Sequence, residues 1–339
     1  MPQRTPSAPV ERAMTEYRIC THDEVSDREQ LLVALSELED LTFSHYDGVV
    51  HSTPSFLRWY TSRPGMLPHL CQAAFVDGRL VCNVFVTLAP MMLGGDTVQC
   101  GLIDTVMTHP DHCRRGLATQ LLRRALAAME TAGADVSLLY TARAEPPLGP
   151  ERLYRGLGYG PRELVTRYVR RAGPISGGTA RVKQPDASAR LLFEGALGAL
   201  DGWLVLQDDL WRWRRVERPE RYPVELSATD SGAAAAICAG GLIISGALSP
   251  LTVISDLVLP DRTAERDDLC ALMAAAPRDA PMTILCPESS RRAELLTEVG
   301  FAAAGVEVAM IGPISRKGAA AVSAPRSEWY VAVESLIGV

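Results

Sequence analysis

Apolar and polar residues begin to alternate at Tyr17-Arg-Ile-Cys-Thr21, which predicts a strand. Leu31, Leu32, Leu35 and Leu38 then fall at helical spacing within 27–41, and a second helical segment follows over 53–60. Three strand-like runs come next, over 69–76, 79–89 and 98–108. Asp77-Gly78 separates the first two and Gly94-Gly95-Asp96 the last two, both hairpin signals, so an antiparallel meander is expected. Beyond Pro110 the period lengthens. Leu121, Leu122, Ala125, Leu126 and Met129 share one face of a helix over 118–131, with Gly133 as its stop. A buried strand over 136–140, a short helix over 151–157 and a strand over 164–170 complete the unit. This order predicts one sheet covered by helices on both faces.

The turn-rich stretch Gly173-Pro-Ile-Ser-Gly-Gly-Thr179 reads as a boundary, after which a fainter copy of the same order returns. A strand over 251–259 ends at Pro260, as the strand over 98–108 ends before Pro110. A helix (267–275), a strand (282–286) and a helix (290–299) follow. Arg291 to Phe301 parallels Pro150 to Tyr159, each closing on glycine plus an aromatic residue. An internal duplication is therefore expected, with a tail over 1–16, a first domain over 17–175 and a degenerate second domain over 176–339.

Composition narrows the functional classes. The 339 residues suffice for two cores, and a hydrophobic share of 47% with 22% charged residues is that of a globular chain. The formal net charge of −6 and the absence of a polybasic run argue against nucleic acid or a membrane surface as partner. Residues 231–255 carry no charge, but glycines 232, 240, 241 and 246 and Pro250 interrupt them, so buried sheet and turns are expected there and not a membrane span. The first residues lack the apolar core of a secretory leader. Eight cysteines without a C-x-x-C pair suit a reducing, cytoplasmic setting.

The run Val106-Met-Thr-His-Pro-Asp-His-Cys-Arg-Arg-Gly-Leu-Ala-Thr-Gln-Leu-Leu122 carries the clearest chemistry. It joins a strand end to an amphipathic helix through a cationic loop. Amides at a helix start lack intrahelical acceptors, and the helix dipole adds about half a positive charge there. Gly116 and Ala118 are small enough for a diphosphate to approach the backbone, and Arg114 and Arg115 supply charge. An ordinary strand-to-helix connection with solvated arginines is the competing reading.

Arg114-Arg115-Gly116-Leu117-Ala118 resembles the acyl-CoA loop of the GNAT (Gcn5-related N-acetyltransferase) superfamily, [Gln/Arg]-x-x-Gly-x-[Gly/Ala], with Cys113 in the place of the first Gln or Arg. Downstream, Leu153-Tyr154-Arg155-Gly156-Leu157-Gly158-Tyr159 is similar to the family's helix whose tyrosine faces the CoA sulfur. The resemblance implies an α/β fold of two tandem GNAT-like domains, each a mostly antiparallel mixed sheet with helices on both faces. It implies acetyl-CoA or another acyl-CoA as donor, no metal, and a small-molecule amine as acceptor. Tandem members of the superfamily act in antibiotic modification and biosynthesis. By the same resemblance Val106, Met107 and Thr108 would offer backbone groups to the pantetheine arm, and one amide would polarise the thioester carbonyl. Arg114, Arg115, Gly116, Leu117, Ala118 and Thr119 would hold the pyrophosphate, and Tyr154 would donate a proton to the departing thiolate.

The remaining candidates carry less. Cys113 matters here for its backbone amide, although a thiol at a helix start can be nucleophilic. His109, His112 and Cys113 have metal-ligand chemistry but no further cluster. All six histidines (22, 45, 51, 69, 109 and 112) precede residue 113, and the general base stays open among them, Asp104, Glu145 or no dedicated base. Trp211-Arg-Trp-Arg-Arg215 reads as a helix packed on the sheet with its arginines reaching solvent, the alternative being a surface that stacks on a substrate or nucleotide. In the second copy, the loop after Pro260 has no glycine and four acids, and Leu296 stands in the place of Tyr154. Two arrangements follow: the first domain catalyses, or it holds acyl-CoA as a structural or regulatory ligand while the second domain carries any turnover.

Overall fold

The structure is a computed structural model that describes residues 16–43, 52–143, 149–175, 178, 182–183, 189–205, 207–215, 217–218, 224–244, 247–260, 263–277 and 279–331. Residues 1–15 of the expected tail, His45, His51, Glu145, Asp261 and Arg262 lie outside the described residues. The first half runs β1 (Arg18–Thr21), α1 (Arg28–Phe43), α2 (Pro54–Tyr60), β2 (Gln72–Val76), β3 (Arg79–Leu93), β4 (Asp96–Thr108), α3 (Leu117–Thr131), β5 (Val136–Ala142), α4 (Gly149–Gly156) and β6 (Gly160–Arg170). Both hairpin signals form turns, with Asp77, Gly78, Gly94 and Gly95 at positive φ. β2 starts later than the alternation suggests, because Leu67 to Leu70 close a turn through the Leu70 N–H and the Leu67 carbonyl at 2.9 Å.

The second half runs β7 (Val182–Lys183), α5 (Ala189–Leu197), α6 (Asp208–Arg215), β8 (Val224–Thr229), β9 (Ala234–Ile244), β10 (Ala247–Val258), α7 (Glu265–Ala274), β11 (Met282–Pro287), α8 (Ala293–Glu298), β12 (Ala302–Pro313) and α9 (Arg316–Ser323). The uncharged stretch forms β9 and most of β10, paired antiparallel inside the sheet. Among the described residues, no helix is long and apolar enough to cross a membrane.

All the strands join one sheet in the order β1-β2-β3-β4-β5-β12-β6-β11-β10-β9-β8-β7. The order reads alike from either end. Each half supplies a four-stranded antiparallel meander and then a parallel pair, β4 with β5 and β10 with β11. The last strand of each half then pairs with the other half: β12 lies against β5, and β6 against β11. The strand expected over 164–170 is longer, Gly160–Arg170, and sits at the centre of the sheet. β5 pairs with β4 over only three residues, and its other edge is completed by β12, which brings β6 to the middle of the sheet.

One face of the sheet buries a core shared by α1 and α2 of the first half and α5 and α6 of the second. On the other face α3 and α4 cover the first half and α7 and α8 the second. The two halves meet at Trp59 of α2 and Trp213 of α6, whose rings stack 4.4 Å apart at 6°. Each indole N–H donates to the other's backbone carbonyl, Trp59 Nε1 to Trp213 O at 3.2 Å and Trp213 Nε1 to Trp59 O at 2.9 Å. α3 packs closely on β4: a Cβ at Gly101 would fall 1.9 Å from Met129 Sδ, so a larger residue there would require the Met129 side chain to move.

Candidate functional site

β4 and β5 pair in parallel only from Cys100↔Val136 to Leu102↔Leu138 and then diverge. On its other side β4 changes register against β3, from Phe85↔Asp104 to Asn83↔Met107. Thr105 and Val106 therefore face Val84 alone, a bulge in which Thr105 takes φ +47°. The result is a strand edge with unpaired backbone groups lining a wedge between β4 and β5. The three expected strand-end residues sit on it. Met107 is fully buried toward α1 and α2, Val106 packs toward α3, and the Thr108 hydroxyl lies 3.3 Å from Cys82 Sγ.

The loop that follows leads into α3. Arg114 (φ +59°) and Gly116 (φ +80°) are both left-handed, with Arg115 between them. Alternating hand of this kind turns successive N–H groups into a concave anion-binding nest. Gly116 caps α3 without a side-chain hydrogen bond, so the amides of Leu117, Ala118 and Thr119 head the helix with no acceptor in the preceding turn. The two arginines divide their work. Arg115 braces the loop, donating from Nη1 to the Tyr17 hydroxyl and from Nη2 to the Asp111 carbonyl, each at 3.0 Å. Arg114 is exposed and has no partner among the described residues. Tyr17 also meets His112 Nδ1 at 2.9 Å. Burial and then the Arg115 charge hold His112 below the usual imidazole range.

Tyr154 lies on α4, on the α3 side of the sheet, 7% exposed and edge-on to Tyr159. Burial pushes its phenol up to about 12, and its hydroxyl makes no hydrogen bond among the described residues. Cys113 is exposed, with its thiol 3.6 Å from the Thr108 and His109 carbonyls. Among the described residues no group of three or more His, Cys, Asp or Glu is placed to hold a metal.

On the α1 side lie two of the general-base candidates, Asp104 and His22, together with groups that the sequence left unassigned. Asp104 pairs with buried Arg63 at 2.9 Å. Glu39 accepts from the Ser52 hydroxyl at 2.9 Å, and burial, with smaller contributions from Asp40 and Asp104, pushes its carboxyl up to about 8. Half-buried His22 and fully buried Asn83 lie beneath the bulge, joined at 2.8 Å. Arginine at 63 and asparagine at 83 fall in no motif; only the fold brings them to β4.

The second half repeats the wedge but not the loop. β10 and β11 pair in parallel only at Thr252↔Met282 and Val253↔Thr283. β10 bulges between Ser255 and Val258, with Asp256 at φ +53°. Here the carboxylate of the bulge residue is itself buried. Arg214 Nη2 donates to it at 2.8 Å, and the Tyr330 hydroxyl and Arg215 also bind it. Arg214 and Arg215 thus do not reach solvent as the sequence pattern suggested, because Asp256 draws both into the core. Trp329, Tyr330 and Val331 of the C-terminal segment line the cavity between the two strands, together with Leu296. α7 begins with Glu265, Asp267 and Asp268 in its first turn, which repel an anion.

Residues 34–162 match the family model of the acetyltransferase (GNAT) domain. An uncharacterized N-acetyltransferase of Streptomyces griseus is 33% identical over 161 residues, which cover 42% of this chain and 36% of the relative. The chain thus matches little more than a third of that relative's length. Among solved structures, a GCN5-related N-acetyltransferase from Anabaena variabilis superposes with a TM-score of 0.62 at 14% identity, over 90% of this chain and 74% of that one. Saccharomyces cerevisiae N-myristoyltransferase with bound myristoyl-CoA gives 0.68 at 12% identity, over 91% and 81%. The first half thus matches the GNAT acetyltransferase domain model, and the fold of the whole chain is the α/β fold of these solved structures.

Proposed function

We propose that the chain is an acyl-CoA-dependent N-acyltransferase that moves an acetyl group from acetyl-CoA to a small-molecule amine. One observation carries this reading. The bulged, unpaired edge of β4 runs directly into a loop whose left-handed Arg114 and Gly116 open the start of α3. A thioester arm needs a strand edge to lie against, and a diphosphate needs converging amides with a cation near them. Both are present in sequence order, and the Arg114 guanidinium is free to pair with a phosphate.

In this reading the amine attacks the thioester carbonyl directly. Val106, Met107 and Thr108 supply the edge along which the donor extends, and a β4 amide stabilises the charge that develops on the carbonyl oxygen. Residues 114–119 hold the diphosphate. Tyr154, kept protonated by burial, stabilises the departing sulfur. The second half completes the cleft as the partner in a tandem duplication of residues 17–175 and 176–339, supported by the mirrored strand order and the repeated bulge. The buried Asp256 cluster and the acidic start of α7 favour catalysis in the first half over the second. The resemblance of residues 114–118 and 153–159 to the motifs of tandem GNAT proteins supports an acceptor from antibiotic biosynthesis or modification. Eight free cysteines among the described residues support a cytoplasmic setting.

The test is release of free CoA thiol when the purified chain is given acetyl-CoA and a panel of small amines. Amine-dependent thiol release supports the reading. A stoichiometric acetyl-CoA complex that never turns over with any amine points instead to an acyl-CoA-binding protein.

A further inference from the structure

The bulge in β4 is braced by a fully buried asparagine, Asn83, and a half-buried histidine, His22. Thr105 is a non-glycine residue at φ +47°, a conformation that costs of the order of 1 kcal/mol and persists only where neighbours enforce it. Asn83 is fully buried and donates from Nδ2 to the Thr105 carbonyl at 3.5 Å. Its Oδ1 faces His22 Nε2 at 2.8 Å, and because that oxygen can only accept, the imidazole proton sits on Nε2. The two contacts also fix which way the amide of Asn83 is turned. His22 is itself anchored, its backbone N–H meeting the Pro68 and Cys71 carbonyls at 3.2 Å and its ring lying edge-on to Phe85 at 5.5 Å. Burial holds the imidazole down to about 4, so it is neutral over the working range of pH.

Peptide geometry turns this brace into a pointer. In a trans peptide the carbonyl and the N–H of one unit point in opposite directions. The Thr105 carbonyl is held toward β3 by Asn83. The Val106 N–H, on the same peptide, is therefore turned the other way, to the β4 edge that β5 leaves unpaired beyond Leu102. The second bulge has no such brace: Ala234 pairs with Val258 where Asn83 pairs with Met107.

We propose that Asn83, oriented by His22, is a positioning residue that aims the Val106 N–H at the thioester carbonyl of a bound acyl-CoA. This rests on the functional reading above and names which amide does the work. Without the brace the Thr105–Val106 peptide is free to rotate, and the hydrogen bond to the carbonyl oxygen weakens.

The test is the infrared carbonyl frequency of acetyl-CoA, labelled with carbon-13 at the thioester carbonyl and bound without any amine, combined with steady-state kinetics. In the wild-type protein the frequency should lie below that of free acetyl-CoA. In Asn83→Leu it should return toward the free value, with kcat lowered about tenfold and the acetyl-CoA KM within about twofold. His22→Gln, whose amide N–H can still reach Asn83 Oδ1, should keep the wild-type frequency, whereas His22→Phe should lose it. A variant that merely fails to fold would not bind acetyl-CoA, and the His22 pair then decides the question. An unchanged carbonyl frequency in Asn83→Leu, or the same frequency in both His22 variants, overturns the proposal. If the wild-type chain does not bind acetyl-CoA at all, the functional reading falls first and this inference with it.

Discussion

Replacing Tyr154 by phenylalanine removes one oxygen and leaves the packing of α4 on the sheet. Burial raises the phenol to about 12, whereas an alkyl thiol titrates near 8.5. Complete proton transfer to a thiolate would then be uphill by roughly 3.5 units, about 5 kcal/mol. Tyr154 is accordingly a hydrogen-bond donor to the developing sulfur anion, and proton release to water completes the step. A hydrogen bond to a charged group contributes roughly 1.5–3 kcal/mol, or about 10- to 150-fold in rate. We expect Tyr154→Phe to lose that much in kcat, measured by thiol release from acetyl-CoA, with KM for acetyl-CoA within about twofold. Because the hydroxyl has no hydrogen-bond partner among the described residues, the melting temperature should hold. The sign of the pKa shift adds a second check: a raised phenol stays protonated, so wild-type turnover should show no loss from Tyr154 ionisation up to about pH 10. Wild-type kcat in the variant, or a large rise in KM with kcat intact, would refute this role.

Gly116→Val places a β-branched residue at φ +80°; a Cβ there meets nothing within 4 Å, so the cost is backbone strain of roughly 1–2 kcal/mol. Titration calorimetry should show acetyl-CoA binding weakened at least tenfold, and unchanged affinity would remove the loop from the site. Asp256→Asn leaves Arg214 and Arg215 buried without their carboxylate, and urea unfolding should show a loss of about 3–5 kcal/mol; a loss below about 1 kcal/mol would show that the cluster is not held by charge. Glu39→Gln tests a buried acid: its carboxyl is raised to about 8, so the wild-type chain pays for keeping it protonated as pH climbs from about 4.5 toward 8, by at most about 3 kcal/mol at pH 7. The variant should therefore gain stability over wild type at pH 8 and match it near pH 4, and a stability difference that does not vary with pH would contradict the shift.

The repeating patterns carried the architecture. Leu31, Leu32, Leu35 and Leu38 do line the buried side of α1, and Leu121, Leu122, Ala125 and Met129 that of α3. The cationic loop was legible because a helix start and a small residue at 116 are local properties. The exchange of β6 and β12 was not legible, since pairing across more than a hundred residues leaves no periodic trace. One signal was available: Arg58-Trp59 with Arg63-Pro64 is echoed by Arg212-Trp213 with Arg218-Pro219, and the two tryptophans proved to be the reciprocal pair between the halves. The arginines of α6 were misjudged because a charged run reads as a solvated face until a buried carboxylate from another strand is known to meet it. Asn83 and His22 lie in unremarkable sequence, and only the bulge register gives them a task.

The most direct measurement is a crystal structure of the chain with acetyl-CoA. The diphosphate should lie on the amides of residues 114–119 beside Arg114, with the thioester carbonyl at the Val106 N–H between β4 and β5. A ligand seated instead between β10 and β11, with the loop before α3 making no contact to it, would contradict the account.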